Sequence, residues 1–295
     1  MPWNNAVPTF VKWAGGKTQL LDQFKKFFPK KFNGYLEPFV GSGAVFFYIK
    51  RKYNPKRVII SDNNEDLINT YMVVRDNLEE LIKLLKIHKR NHCKEYYYKI
   101  RETDVNELSD VEKAARFLYL NKTCYNGLYR VNSKGKFNVP FGRYKNPNIV
   151  NEKNLRKAHK LLQGVTIKLQ SFEKVLEDAE SGDFIYFDPP YYPLSKTANF
   201  TSYTRDVFLD DEQRKLAEVY RKLDERGCLL MLSNSDTEFI KNLYSYDGLK
   251  IHTVKARRAI NSKADKRGAI NELVILNYEI TPQQSNGSIY FTRGG

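Results

Sequence analysis

Cysteine is scarce in this chain. Cys93, Cys124 and Cys228 are far apart, odd in number and form no Cys-x-x-Cys pair, so neither a disulfide framework nor a cysteine-based zinc site is indicated, and a reducing intracellular setting fits. Histidine is scarce too, with four in all. His88 and His92 have the one-turn spacing of some metal ligands. They lie in a lysine-rich stretch with no acidic or cysteine partner at a recognisable interval, so they read as a solvated helix face and no metal is expected. Long apolar runs are also missing: nothing approaches the roughly 18 residues of a membrane span, and no basic-then-apolar leader opens the chain. A cytoplasmic protein without membrane contact is expected. The last shortage is of acid, since 34 Asp and Glu face 49 Lys and Arg, leaving a formal charge of +15. A surplus of that size suits a surface that neutralises phosphates, which points to nucleic acid.

What the chain does have is length and rings. Its 295 residues, 41% apolar, can bury one large core or a core with an inserted subdomain, and its twenty tyrosines supply faces that could stack on bases. Tyr35 to Phe39, then Gly41-Ser-Gly43, then the apolar Ala44 to Ile49 reads as strand, glycine turn, helix. A second strand, Arg57 to Ser61, ends at Asp62. From Asp66 to about Asn121 the pattern is helical, with Leu78, Leu81, Ile82 and Leu85 on one stripe. A polar hairpin follows over Tyr125 to Gly142. The α/β rhythm resumes with a helix at Leu155 to Leu162, a strand at Val165 to Leu169, a helix at Glu173 to Ala179 and a strand at Phe184 to Phe187. A helix at Asp211 to Arg226, a strand at Cys228 to Leu232 and two strands near Ile251 to Val254 and Glu272 to Tyr278 close the sheet, the last two enclosing a basic loop, Arg257 to Arg267. The predicted fold class is therefore α/β. Residues 1–65 and 151–280 should form one domain, 66–150 an insertion, and 281–295 a flexible tail.

Three segments carry chemistry. Asp188-Pro-Pro-Tyr191 follows the apolar run Phe184 to Phe187, which reads as a buried strand, and open α/β sheets bind ligands just beyond the carboxyl ends of their strands. A loop alone would explain Pro189 and Pro190; an acid before them and a ring after them suit chemistry on the amino group of a base. Asp62 lies about 20 residues beyond the glycines, the interval at which dinucleotide-type folds place a carboxylate on ribose hydroxyls. Phe46 stands where the third fingerprint glycine would be, so a nucleoside ligand other than NAD is expected. Trp13-Ala-Gly-Gly-Lys-Thr18 tempts a phosphate-loop reading, but Val11 stands where that motif needs glycine.

Taken together these pieces resemble the Dam-type DNA adenine-N6 methyltransferases, the D12 class. The resemblance runs in order through Lys12-Trp-Ala-Gly-Gly-Lys17, Glu37-Pro-Phe-Val-Gly-Ser-Gly43, Ser61-Asp62-x-Asn64, Leu118-Tyr-Leu-Asn121, Tyr125-Asn-Gly-Leu128, Phe137 to Tyr144, Asp188-Pro-Pro-Tyr191 and Thr197 to Tyr203. It implies a Rossmann-like S-adenosylmethionine-dependent methyltransferase sheet with helices on both faces and a C-terminal antiparallel hairpin. It also implies that the mainly helical insert reads DNA.

The resemblance further implies roles. Trp13, Lys17, Phe39, Gly41 and Gly43 would hold S-adenosylmethionine with Asp62 and Asp188, and Phe172 would flank its adenine ring unless it is an ordinary core residue. Asp188 and the Pro189 carbonyl would accept the hydrogens of adenine N6, and Tyr191 would stack on the extruded base. Arg130 would grip a guanine or else a phosphate, beside Tyr125, Asn126 and Leu128 as a wedge or as contacts to the vacated partner base. Lys12 and Arg143, with Lys122, Lys136, Lys145 and the 257–267 loop, are the phosphate candidates. The expected activity is methylation of adenine within GATC in double-stranded DNA, in company with a restriction endonuclease of the same site or alone. Cytosine N4, RNA adenine and a binding module without catalysis are the rival readings.

Overall fold

The computed structural model describes residues 7–194, 208–257 and 269–280. Seven strands form one sheet: β1 (Gly34–Glu37), β2 (Arg57–Asp62), β3 (Thr166–Leu169), β4 (Phe184–Phe187), β5 (Leu229–Ser235), β6 (Lys250–Arg257) and β7 (Ala269–Leu276), in the order β3-β2-β1-β4-β5-β7-β6. The first five in that order run parallel, and β7 joins β5 and β6 antiparallel. Parallel strands are covered on both faces, which is why β1 and β4 are buried at every residue. Alternate residues feed two cores. Tyr35, Ile60, Phe184, Tyr186 and Val274 face one, and Leu36, Ile185, Phe187, Leu232 and Ile275 face the other.

The first core lies under α2 (Ala44–Tyr53), α3 (Glu65–Asp76) and α7 (Glu152–Leu162). The second lies under α8 (Val175–Asp178), α9 (Asp210–Glu225) and α10 (Glu238–Leu243). A short α1 (Leu21–Phe24) packs near the N-terminal segment. The chain winds from β1 to β2 and β3, then returns to β4 on the other side of β1. That reversal opens a crevice at the carboxyl ends of β1 and β4, and the candidate site lies there.

The segment expected to be an insert carries three further helices: α4 (Leu78–Arg90), α5 (Lys94–Glu102) and α6 (Asp110–Thr123). Ser109 and Glu112 form a capping box that starts α6, and ten of that helix's residues are buried. Helix α3, inside the segment expected to be insert, packs on β2, β3 and α7 as well as on α6, and Arg75 donates to the Val165 carbonyl. Its Leu67, Ile68 and Tyr71 join the core that α6 also enters, so sheet and insert share one apolar interior.

Three local expectations change. The 125–142 segment makes only isolated bridges, Cys124 with Phe141 and Val131 with Phe137, around a 132–135 turn; Pro140, which has no N–H to donate, and a polar sequence keep it from a regular ladder. The helix expected over 173–179 splits into a 3₁₀ turn, Phe172–Lys174, and α8. His88 and His92 are not a solvated face. His88 stacks on Tyr119 at 4.9 Å and bonds the Tyr96 hydroxyl, and His92 bonds the Tyr119 hydroxyl. The tail from Thr281, the Thr197 to Tyr203 motif and the basic loop from residue 258 onward lie outside the described residues.

Burial lowers the His88 imidazole from its ordinary value to about 4. A depressed histidine contributes stability that is present above its unfolded value, about 6.5, and lost as pH falls toward 4, because the unfolded chain takes up the proton first. Thermal melts should show the melting temperature of the wild type falling faster than that of His88→Phe across this window; parallel curves would refute the assignment.

Candidate active site and nucleic-acid face

Asp188 stands one residue beyond β4, where Pro189 ends the ladder. Its carboxylate lies 2.7 Å from the Lys17 ammonium, whose side chain is 3% exposed. Lys17 donates to the Gly15 carbonyl at 2.6 Å and lies 4.6 Å from the centre of the Tyr191 ring. The pairing with Asp188 is chiefly one of charge, and among the described residues Asp188 Oδ1 finds no hydrogen-bond partner in good geometry, so acceptor capacity remains on a buried oxygen. Burial pushes the Asp188 carboxyl up to about 6, and Lys17 limits the rise. Glu37, at the end of β1, accepts from the Tyr35 hydroxyl and is pushed well above the usual carboxylate range by burial.

The Asp-Pro-Pro-Tyr loop is braced from outside. Gln213 of α9 donates to the Pro190 carbonyl at 3.0 Å, Asn234 of β5 donates to Gln213 at 3.0 Å, and the Tyr192 amide donates to Asn234 at 3.2 Å. Both amides are fully buried. The Tyr191 hydroxyl donates to Glu272 of β7 at 2.7 Å. Sequence reasoning missed all three braces. Gln213 carries a legible signal, a polar residue in phase with Leu216 and Tyr220 on the buried face of α9, and Asn234 is likewise in phase with Leu230 and Leu232.

Asp62 ends β2 beside the glycine turn. One carboxylate oxygen accepts from the Gly41 amide at 3.2 Å and the other from the Asn64 amide at 3.1 Å. Each keeps a lone pair, as a vicinal diol requires. Burial raises its pKa to about 6 against these amides. At Gly41 φ is +46°, and an added Cβ would lie 2.8 Å from the Trp13 ring, so the missing side chain makes room for Trp13. Trp13 stacks at 5.6 Å on Tyr129, whose hydroxyl donates to Asp66. Phe39 and Phe172 stack at 5.4 Å, and Phe208, missed in the sequence, meets both edge-on. Phe172 is also part of the second core.

The remaining predicted residues lie within residues 121–143, with Lys12 held beside them. Tyr125 is 54% exposed and Leu128 36%, an unusual display of apolar surface at a turn. Asn126 and Arg143 both have positive φ. Arg130 is exposed, its guanidinium held by Asn138 at 2.7 Å. Asn121, fully buried, clamps the Lys12 backbone with two bonds of 2.8 Å, and at Gly127 a Cβ would lie 2.3 Å from the Lys12 side chain. Lys12 extends over the Tyr144 ring at 4.4 Å. With Lys122, Asn146, Asn148 and Asn154 it lines a cavity of about 340 Å³. Burial and the neighbouring Lys12 lower the Lys122 ammonium to about 8.

A glycine turn and acids at the ends of β1, β2 and β4, with the buried Lys17 paired to Asp188, suit a cationic nucleoside ligand. Elsewhere on the chain are the exposed rings of Tyr125 and Tyr144 and the cations Lys12 and Arg130. Fold and site together define a methyltransferase that acts on nucleic acid. The chain belongs to the D12 class of N6 adenine-specific DNA methyltransferases, whose family pattern it matches over residues 13–260.

It is 50% identical over 289 residues to the type II methyltransferase M.MjaIII of Methanocaldococcus jannaschii, covering 92% of this chain and 99% of that protein. It is 44% identical to the type II methyltransferase M1.LlaDCHI of Lactococcus lactis, covering 91% and 95%, and 39% identical to the DNA adenine methylase of Escherichia coli, covering 90% and 94%. The enzyme is thus a DNA adenine-N6 methyltransferase that uses S-adenosylmethionine, which sets aside the cytosine, RNA and binding-module readings. Among the described residues no helix is long and apolar enough to cross a membrane.

Proposed function

We propose that the enzyme methylates the adenine of GATC after turning that base out of double-stranded DNA. The observation that carries this reading is the cluster of Asp188, Lys17 and Tyr191 at the mouth of β4. Adenine N6 is a poor nucleophile because its lone pair is delocalised into the ring. Asp188 and the Pro189 carbonyl accept its two hydrogens, drawing the nitrogen toward tetrahedral geometry with the lone pair freed. S-adenosylmethionine, when bound, supplies a methyl group already activated by its sulfonium. A carboxyl with a pKa of about 6 can then receive the proton that the methylated nitrogen sheds. Tyr191 stacks on the base, and Trp13, Lys17, Phe39, Gly41, Gly43, Asp62 and Phe172 hold the cofactor.

The insert, residues 66–150, reads the site. An exposed Arg130 braced by Asn138 is ready for a bidentate grip on guanine O6 and N7, worth about 1–3 kcal/mol. Tyr125, Asn126 and Leu128 fill the gap left by the base, and Lys12, Lys122 and Arg143 contact phosphates. The close Tyr125 to Tyr144 match to the Dam pattern supports GATC. Because two relatives are named type II methyltransferases, a restriction endonuclease of the same site, acting separately in the cytoplasm, fits the reading. Single-base mapping of N6-methyladenine in a treated plasmid tests it. Methyl on the adenine of every GATC is expected, and methyl at another sequence would overturn the specificity assigned to this segment.

A further inference from the structure

We infer that Glu272 is a positioning residue for methyl transfer, acting through the hydroxyl of Tyr191. The inference rests on the N6-transfer reading and deepens it. Stacking on a base needs only a ring, and phenylalanine would supply one. Yet the hydroxyl of Tyr191 reaches across to the hairpin and donates to Glu272 Oε2 at 2.7 Å. Glu272 sits on β7 opposite Ser235 of β5, so its backbone is fixed by ladder bonds on a rigid element.

The two residues flanking the ring are held as well, Pro190 through Gln213 and Tyr192 through Asn234. Tyr192 also stacks on Phe239 at 4.4 Å. With the backbone fixed on both sides, the freedom left to Tyr191 is rotation of its own side chain. The Glu272 bond removes that freedom. It holds the ring against Lys17 and so sets the plane on which the base must land relative to Asp188. An error of about 1 Å in such a placement can cost on the order of a hundredfold in rate.

The test is a double-mutant cycle on single-turnover methylation of a duplex carrying the wild-type site. Glu272→Ala and Tyr191→Phe should each slow transfer about tenfold, the size expected for one charge-assisted hydrogen bond. The double variant should be no slower than either alone. Glu272→Gln, whose amide oxygen still accepts from the phenol, should recover most of the rate. Affinities for S-adenosylmethionine and for DNA should stay within about twofold, as should melting temperatures within a few degrees. A duplex with 2-aminopurine at the target should report altered quenching of the extruded base in Glu272→Ala and in Tyr191→Phe alike. Multiplying defects in the double variant, or a Glu272→Gln as slow as Glu272→Ala, would overturn the inference. If the wild type itself places no methyl on adenine N6, the underlying reading fails instead, and the two failures are distinct.

Discussion

Asp188→Ala should abolish methyl transfer, lowering the single-turnover rate by about a thousandfold, the upper range for loss of one preorganised polar group at a reacting centre. DNA binding should stay within about twofold, because the hydrogen bonds from N6 strengthen only as the nitrogen leaves the plane of its ring. Near-normal turnover would sink the assignment of Asp188. The structure adds a complication that the experiment must absorb. Lys17 is 3% exposed and pairs with Asp188, so removing the acid leaves a buried charge unpaired, an error that costs about 3–5 kcal/mol. Asp188→Ala should therefore melt earlier than wild type. The double variant Asp188→Ala, Lys17→Met should regain much of the melting temperature while transfer at saturating S-adenosylmethionine remains lost, with Lys17→Met alone retaining measurable transfer as the control. Recovery of stability without recovery of rate separates a chemical role for Asp188 from a structural one.

Much of this site was legible because its chemistry is written in short segments. Asp188 announces itself through the prolines that end β4, and Asp62 through its distance from the glycine turn. The alternation that fills the two cores was readable in the same way, since each parallel strand is a short apolar run. The braces were harder. Glu272 lies 81 residues from Tyr191 and belongs to no motif; only the antiparallel pairing of β5 with β7 brings it near. The histidine pair misled because polarity along α4 suggested solvent, whereas Tyr96 and Tyr119, contributed by α5 and α6, supply both the ring faces and the hydroxyls. Long-range partners of that kind leave no periodic trace. Gly41 shows the intermediate case: its turn was readable, but the occupant of the space it leaves, Trp13, comes from a segment 28 residues earlier.

Asp62→Ala should weaken S-adenosylmethionine binding at least about a hundredfold by calorimetry. Two charge-assisted hydrogen bonds to a ribose diol are each worth about 1.5–3 kcal/mol, and every 1.4 kcal/mol is tenfold in affinity. Binding as tight as wild type would end the assignment. The pH dependence gives a second handle, because burial raises Asp62 to about 6 and only the ionised form accepts from both hydroxyls. Cofactor affinity should hold above that pH and weaken below it, with the dependence gone in Asp62→Ala. Asp188 also titrates near 6, so an acid limb in the rate alone would not say which carboxyl caused it. Lys17 divides them. Its charge lowers Asp188 and does not figure at Asp62. In Lys17→Met the acid limb of single-turnover transfer, measured at saturating cofactor, should move to higher pH. Whatever that change does to the strength of cofactor binding, its pH midpoint should stay where it was. If only the binding midpoint moved, the two carboxylates would have been given each other's roles, and if both moved together a single carboxyl would govern binding and transfer alike.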